Sequence, residues 1–204
     1  MRLAIFAGGV FMKAILFALL GLSTALLAAQ DTRIEEAGKS PVEAKFAPNG
    51  QVRMHLCPSG VSLIGRDGGV LRVSYHPTNE NVKVRLQISG SDAELRVTGC
   101  PHNNFQLTVE VPKSSGLHVR MFAGQLDVWG VTGDKDVELS AGQLTMDVGE
   151  PDNYSHVDAS VSTGELDASA FDVNQGGLFR SFDHTGPGKY RLHAHVGAGE
   201  LDLR

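Results

Sequence analysis

Apolar and polar residues alternate through much of the second half of the chain, and the alternation is organised around four short phrases. These phrases occupy residues 123–127, 141–145, 163–167 and 198–202 and share the order small residue, Gly, Gln or Glu, Leu. In the seven residues before each glycine, apolar side chains alternate with polar ones. A period of two is typical of a β-strand that buries one face. The pattern therefore predicts four equivalent β units.

The alternation changes phase at each phrase glycine, namely Gly124, Gly142, Gly164 and Gly199. Beyond the glycine the apolar residues stand two and four positions away. A regular strand cannot change its buried face in mid-run, so a bulge or corner is predicted there, where glycine adopts backbone angles that other residues avoid. Stacked units would then bury one column of leucines: Leu126, Leu144, Leu166 and Leu201.

The first half of the chain also alternates, and it predicts strands at residues 51–56, 70–75, 82–88 and 105–111, separated by Gly, Pro and Asn turn signals. No window there shows sustained helical spacing. The sequence predicts an all-β fold, a single β-solenoid or β-helix-like stack of short strands with glycine corners. A sandwich of repeated hairpins is the alternative. The glycines are 18, 22 and 35 residues apart, and the last interval is long enough for an extra rung at residues 176–192.

The N-terminal residues have the composition of a secretion signal. A positive residue, an apolar run and small residues fill positions 12–29, so residues 1–29 are predicted to be a signal peptide that forms a signal helix, with Met12 as an alternative start. The run from Ala14 is shorter than the ~20 residues of a membrane span. Residues 30–49 are interpreted as a linker, and residues 50–204 as the β-repeat domain. The product is expected to be exported, either periplasmic or extracellular.

Charge and cysteine usage narrow the functional classes. Without Arg2 and Lys13 the chain has 16 basic and 23 acidic residues, a net charge of −7. No basic stripe is left to neutralise phosphates, so nucleic-acid binding is not expected. Outside the cytoplasm, Cys57 and Cys100 are predicted to form a disulfide across ~44 residues. A zinc site from His55, Cys57, Cys100 and His102 is the alternative.

Acidic residues recur just after the corners and define a candidate ligand face with the single tryptophan. Neighbouring carboxylates could bind Ca²⁺ or act as a glycosidase pair, but solvated surface residues are the preferred interpretation. An exposed tryptophan could stack on a sugar. The candidate ligand face comprises Trp129, Asp127, Glu165, Asp167, Glu200 and Asp202.

His193 and His195 flank Ala194, and imidazoles two residues apart on a strand can bind Zn²⁺. The preferred interpretation is two surface histidines on a polar face, so no metal, cofactor or catalytic residue is predicted. Gly-x-Ser-x-Gly, phosphate-loop and His-Glu-x-x-His motifs do not occur in the sequence.

The order of motifs after residue 109 resembles a known family. Val109–Lys113 leads into two Ala-Gly-Gln-Leu phrases, and the chain ends with Gly-Gly-Leu-Phe-Arg-Ser, Gly-Pro-Gly-Lys-Tyr-Arg-Leu and Gly-Ala-Gly-Glu-Leu. This resembles the bacterial putative-adhesin domain family, with toastrack-like Gly-Leu repeats, over residues 50–204. The resemblance implies a secreted or envelope-associated β-solenoid and brings no set of catalytic residues.

The expected function is a non-enzymatic, adhesin-like binding or scaffold surface for an envelope protein or a glycan. The chain stops just after its last repeat strand, so a homo-oligomer through a C-terminal edge strand is also expected. The alternative is a carbohydrate-binding or polysaccharide-degrading protein that uses Glu165 with Asp167 and Glu200 with Asp202.

Overall fold

The computed structural model describes residues 31–77, 79–101 and 104–204, and these residues form an all-β protein. The described residues contain no α-helix and only two single turns of 3₁₀ helix, at Pro151–Asn153 and Ser169–Phe171. The strands are β1 (Thr32–Ala37), β2 (Val42–Lys45), β3 (Gln51–Leu56), β4 (Ser59–Arg66), β5 (Val70–His76), β6 (Lys83–Ser89), β7 (Asp92–Thr98), β8 (Gln106–Pro112), β9 (Gly116–Trp129), β10 (Lys135–Met146), β11 (Tyr154–Ala168), β12 (Val173–Thr185) and β13 (Tyr190–Leu203).

Four long strands contain the glycine phrases and lie in parallel in the order β9, β10, β13, β11. Their glycines are in register, since Gly124 pairs with Gly142, Gly142 with Gly199, and Gly199 with Gly164. Strand β12 pairs antiparallel with the other side of β11. The column two residues beyond the glycines is fully buried and consists of Leu126, Leu144, Leu201 and Leu166.

Each long strand changes its buried face at its glycine, which divides the sheet into two arms. We call the part before the glycine the first arm and the part after it the second arm. The first arm of β9 pairs with β3 and its second arm with β4, so β3 and β4 form one level interrupted at Cys57 and Pro58. Strands β7 and β8 make the next level, followed by β6 with β5 and then β1 with β2. The inward side chains of both arms form one hydrophobic core.

The corner glycines are required by both backbone angle and space. Gly142 has φ +131° and Gly199 has φ +140°, in the region that L side chains rarely adopt. A Cβ added at Gly142 would overlap the carbonyl oxygen of Gly124, and one at Gly199 would overlap that of Gly142. The glycines therefore let neighbouring backbones approach closely at the point where the buried face changes.

The order of the levels differs from a solenoid wound in chain order. Strand β13, the last in sequence, lies between β10 and β11, so the C-terminal strand is not an edge as expected. Among the described strands, the edge at this end is β12, which occupies the 35-residue interval and lies outside β11 instead of forming a rung between phrases. Chain order alone does not reveal this, because a parallel strand can be inserted wherever the hydrophobic columns match.

The segment interpreted as a linker contains two strands. Strand β1 pairs with β6 and β2 with β5, so residues 32–45 complete the far end of the sheet. Half-buried Ile34 and Ala44 pack against the core from this segment. Arg33, Glu35, Glu43 and Lys45 lie on exposed positions of these two strands, and only Val42 of the two strands is fully buried, so the segment has little apolar signal in its sequence.

The predicted disulfide between Cys57 and Cys100 is confirmed, with 6.1 Å between the Cα atoms. It joins the β3–β4 junction to the loop that connects β7 and β8, two adjacent levels of the sheet. The bond removes both thiols from the alternative zinc site, and His102 lies outside the described residues. The predicted signal peptide, residues 1–29, also lies outside them. Within the described ranges, no helix combines the length and the apolar character needed to cross a membrane.

Candidate functional site

A row of charged side chains crosses the outer surface of the first arm. Because the strands are in register, Arg53 lies beside His118, His118 beside Asp136, Asp136 beside His193, and His193 beside Asp158. We call these five residues the first polar row. Basic or imidazole side chains alternate with carboxylates from His118 onward, so neighbouring strands present groups that attract each other.

A second polar row follows two residues further along the same strands. It consists of Arg120 on β9, Glu138 on β10, His195 on β13 and Ser160 on β11. Strand side chains alternate between faces, so both rows point away from the core. Together the two rows form a grid of polar groups on strands whose opposite face is fully packed.

Arg120 and His118 both bind Asp136. Arg120 donates from Nη1 to Oδ1 at 3.0 Å and from Nη2 to Oδ2 at 3.1 Å, and His118 Nδ1 lies 2.8 Å from Oδ2. Arg120 Nη2 also lies 3.0 Å from Glu138 Oε1. Partial burial disfavours the charged carboxylate, but the hydrogen bonds from Arg120 and His118 outweigh it, so the pKa of Asp136 lies below its usual value. Asp136 is therefore a carboxylate at neutral pH.

Strand β11 holds both histidines of β13. His193 Nδ1 lies 3.2 Å from Asp158 Oδ2, and Ser160 Oγ lies 2.9 Å from His195 Nδ1. In each case the bond engages Nδ1 and leaves Nε2 as the free ring nitrogen. Both rings thus have one nitrogen available for a ligand.

An open pocket of about 470 Å³ lies over the start of these strands. The five residues of the first polar row line this pocket, together with the polar residues Gln51, Asp134, His156 and Arg191. Its floor includes the buried side chains of three neighbouring strands, Leu117, Lys135 and Leu192. The lining therefore mixes cationic, anionic and imidazole groups. Such a surface can form several charge-assisted hydrogen bonds with a polar ligand.

Lys135 occupies a core position beneath this pocket and is only 2% exposed. Its Nζ donates to the Tyr154 hydroxyl at 2.8 Å and to the Gly133 carbonyl at 3.3 Å, and the Tyr154 hydroxyl donates to the Val148 carbonyl at 3.0 Å. Burial lowers the pKa of Lys135 to about 8, although the charges of Asp147 and Asp134 oppose the shift. Burial also raises the pKa of Tyr154.

These shifts predict an unusual alkaline profile of stability. Between pH 8 and 10.5 the unfolded chain keeps the Lys135 proton that the folded chain has lost, so stability rises with pH. Above pH 10 the unfolded chain loses the Tyr154 proton first, and stability falls again. We expect the free energy of unfolding, measured by urea titration, to increase by about 2 kcal/mol from pH 8 to pH 10.

The matched control for this profile is Lys135→Met, which keeps the volume and removes the titrating group. The variant should be more stable than the wild type at pH 7 and should lack the rise between pH 8 and 10. A wild-type stability that falls steadily from pH 8 to 10 would contradict the assignment.

The candidate ligand face predicted from sequence lies on the second arm, away from the two polar rows. Glu165 pairs in register with Glu200 and Asp167 with Asp202, so four carboxyl groups form a square on β11 and β13. Asp127 lies apart from this square, because β10 separates β9 from β13.

Burial and the nearby Asp167 raise the pKa of Asp202, while Arg204 opposes the shift. Asp167 Oδ1 has no hydrogen-bond partner among the described residues. Trp129 is half-buried, and the guanidinium of Arg204 lies 4.8 Å from the centre of its ring. Arg204 therefore occupies one face of the indole that was considered for sugar stacking.

His118, Asp136, Asp158 and His193 each stand six residues before a phrase glycine, but nothing in the sequence singles out this column as a site. The alignment predicts that these residues occupy equivalent positions on their strands, six residues before the corner. It does not establish that β13 separates β10 from β11, and this strand order places His193 between Asp136 and Asp158, which would otherwise be neighbours.

Comparison with solved structures supports an adhesin-like fold. A putative cell adhesion protein from Clostridium sporogenes ATCC 15579 superposes with a TM-score of 0.51 at 10% identity, covering 85% of this chain and 99% of that one. A putative adhesin from Bacteroides fragilis NCTC 9343 gives a TM-score of 0.33 at 10% identity, covering 86% and 99%. The sequence matches no family model and none of the curated proteins.

Proposed function

We propose that the chain is an exported, non-enzymatic β-repeat protein whose polar outer face binds another component of the cell envelope. The observation that carries the proposal is the open pocket lined by the first polar row, on in-register strands with a fully packed opposite face. A rigid strand surface presents its side chains without the entropic cost of ordering a loop on binding. The adhesin-like fold of the Clostridium sporogenes protein supports the same class of function.

Export is supported by the disulfide and by the composition of residues 1–29. Disulfides persist in oxidising compartments and are rare in the cytosol of most organisms. The adhesin-like fold is consistent with an extracellular or envelope protein. The disulfide and the fold are equally compatible with a periplasmic and with a secreted protein.

Charge reversal in the pocket tests the binding proposal. The variant Arg53→Glu with Arg191→Glu removes two cations that line the pocket. We expect it to bind a native envelope fraction at least about tenfold more weakly than the wild type in a surface plasmon resonance titration, because charge-assisted contacts of ~1–3 kcal/mol each are lost.

A matched control reverses two exposed cations at the far end of the sheet, Arg33→Glu on β1 with Lys45→Glu on β2. It should bind like the wild type, because its net charge is the same as that of the pocket variant but its pocket is intact. Equal binding by all three proteins would contradict the proposed surface.

A carbohydrate-active protein is the second candidate, and the raised pKa of Asp202 next to Asp167 favours it. A glycosidase needs one carboxyl group that stays protonated and a second that is ionised. Incubation with pectin, alginate and chitin fragments tests this candidate. Turnover that is lost in Asp202→Asn and in Glu200→Gln would establish an enzyme, whereas binding without turnover would establish a lectin-like module.

Self-association is proposed to use the β12 edge in place of the C-terminal strand. Among the described residues, no strand pairs with one side of β12, and Leu178 and Phe179 on β12 are 61% and 82% exposed. Unpaired edge strands with exposed apolar side chains invite pairing with a second copy. Sedimentation equilibrium should give a dimer for the wild type and a monomer for Phe179→Lys; a wild-type monomer at all concentrations would rule this out.

A further inference from the structure

Two carboxylates and two imidazoles form a square where β10 and β13 run side by side. In register, Asp136 lies beside His193 and Glu138 beside His195, all on the outer face of the first arm. Candidate ligand atoms of Asp136, Glu138 and His193 all lie within 4.8 Å of one another. These three side chains are half-buried, so one side of the square is open to solvent.

The chemistry of this square suits a borderline-soft divalent cation. Zn²⁺ binds imidazole nitrogen and carboxylate oxygen at about 2.0–2.2 Å, which places tetrahedral ligand atoms ~3.4 Å apart. The ligand atoms of Asp136, Glu138 and His193 therefore have to approach one another by at most about 1.4 Å, a change that torsions of half-exposed side chains supply without movement of the strands. His195 lies outside this group of three, and its ring has to turn toward them to complete the site. Carboxylates alone would favour Ca²⁺ or Mg²⁺, and the two imidazoles shift the preference to transition metals.

A second observation concerns β11, the strand that pairs with the other side of β13. Strand β11 supplies a hydrogen-bonding partner for Nδ1 of each ring, Asp158 for His193 at 3.2 Å and Ser160 for His195 at 2.9 Å. A carboxylate or hydroxyl on the remote ring nitrogen is the usual arrangement around a metal-bound histidine, since it fixes the ring and makes the free nitrogen more basic. Two such contacts on consecutive outward histidines prepare both Nε2 atoms for one ion.

From this geometry we propose that Asp136, Glu138, His193 and His195 bind a divalent transition-metal ion, with Zn²⁺ as the representative. The Arg120 guanidinium lies across Asp136 and Glu138 at 3.0 Å from an oxygen of each. It therefore competes with the metal for the same two carboxylates and must move away as the ion binds. The site goes beyond the proposed envelope-binding function and does not depend on it.

Isothermal titration of the untagged full-length chain with ZnCl₂ tests the proposal. We expect micromolar affinity for the wild type, and a loss of about tenfold or more in His193→Ala and in Glu138→Gln, because each removes a ligand. Arg120→Gln should bind several-fold more tightly, since it removes the competing cation. This gain is not expected of a side chain that merely stabilises the fold.

His55→Ala is the matched control. It removes an outward histidine on the same arm that is separated from β10 by β9, and it should leave the affinity unchanged. Circular dichroism of each variant verifies that the strands are intact. The proposal is overturned if the wild type does not bind Zn²⁺ up to about 1 mM, if His193→Ala binds as well as the wild type, or if Arg120→Gln binds more weakly.

Discussion

Gly199→Ala is expected to lower the free energy of unfolding by at least about 4 kcal/mol, a large fraction of the ~5–15 kcal/mol that stabilises a typical native protein. Gly199 has φ +140°, which an alanine rarely adopts, and its Cβ would overlap the carbonyl oxygen of Gly142. That oxygen belongs to the backbone of the neighbouring strand and cannot rotate away. Relief requires β10 and β13 to separate, which breaks the register of the whole stack. Urea titration followed by circular dichroism measures the loss.

Gly176→Ala provides the control for this substitution. Gly176 lies on the edge strand β12, and an added Cβ would meet no atom within 4 Å. An alanine there should leave stability unchanged or increase it slightly, because alanine has less conformational entropy to lose on folding than glycine. Equal effects of the two substitutions would show that the corner glycines do not set the stacking distance.

Removal of the disulfide by Cys57→Ser with Cys100→Ser is expected to cost about 4 kcal/mol. The bond closes a loop with a sequence separation of 43 residues, and the chain-entropy model attributes its effect to the restricted unfolded chain. For a protein of this length the midpoint of thermal unfolding should fall by ~8–16 °C. Differential scanning calorimetry of the variant and the wild type measures the shift.

Reductant separates the effect of the bond from the effect of the substitutions. Dithiothreitol should lower the melting temperature of the wild type to near that of the double variant and should not change the variant itself. The denatured wild type should show no free thiol before reduction. A melting temperature of the wild type that is insensitive to complete reduction would contradict a stabilising role.

The disulfide and the corner glycines both lie where the two arms of the sheet meet. The disulfide links the β3–β4 junction to the β7–β8 loop, and the glycines allow the backbones of the four long strands to approach closely. Both features hold the outward rows at constant spacing. Weakening of either should therefore also weaken ligand binding at the polar rows, even though neither contacts the pocket.

The amino-acid sequence by itself determined the local pattern of this protein. Period-two alternation, the change of phase at Gly124 and its equivalents, and the burial of Leu126 and its column are consequences of residue type at fixed spacing, and they are visible in the alignment of the four phrases. The presence of two cysteines in a chain expected to be exported likewise indicated their pairing. These features depend on contacts within a strand or between identical positions, which a repeat makes explicit.

The tertiary structure alone decided the order of the strands. Parallel levels with the same apolar columns are nearly interchangeable for the core, so the sequence did not indicate that β13 would insert between β10 and β11, that β12 would become the edge, or that residues 32–45 would complete the far end. The functional chemistry depends on that order. His193 obtains Asp136 on one side and Asp158 on the other only because β13 lies between their strands, since side chains on different strands meet across a hydrogen-bonded pair and not along the chain.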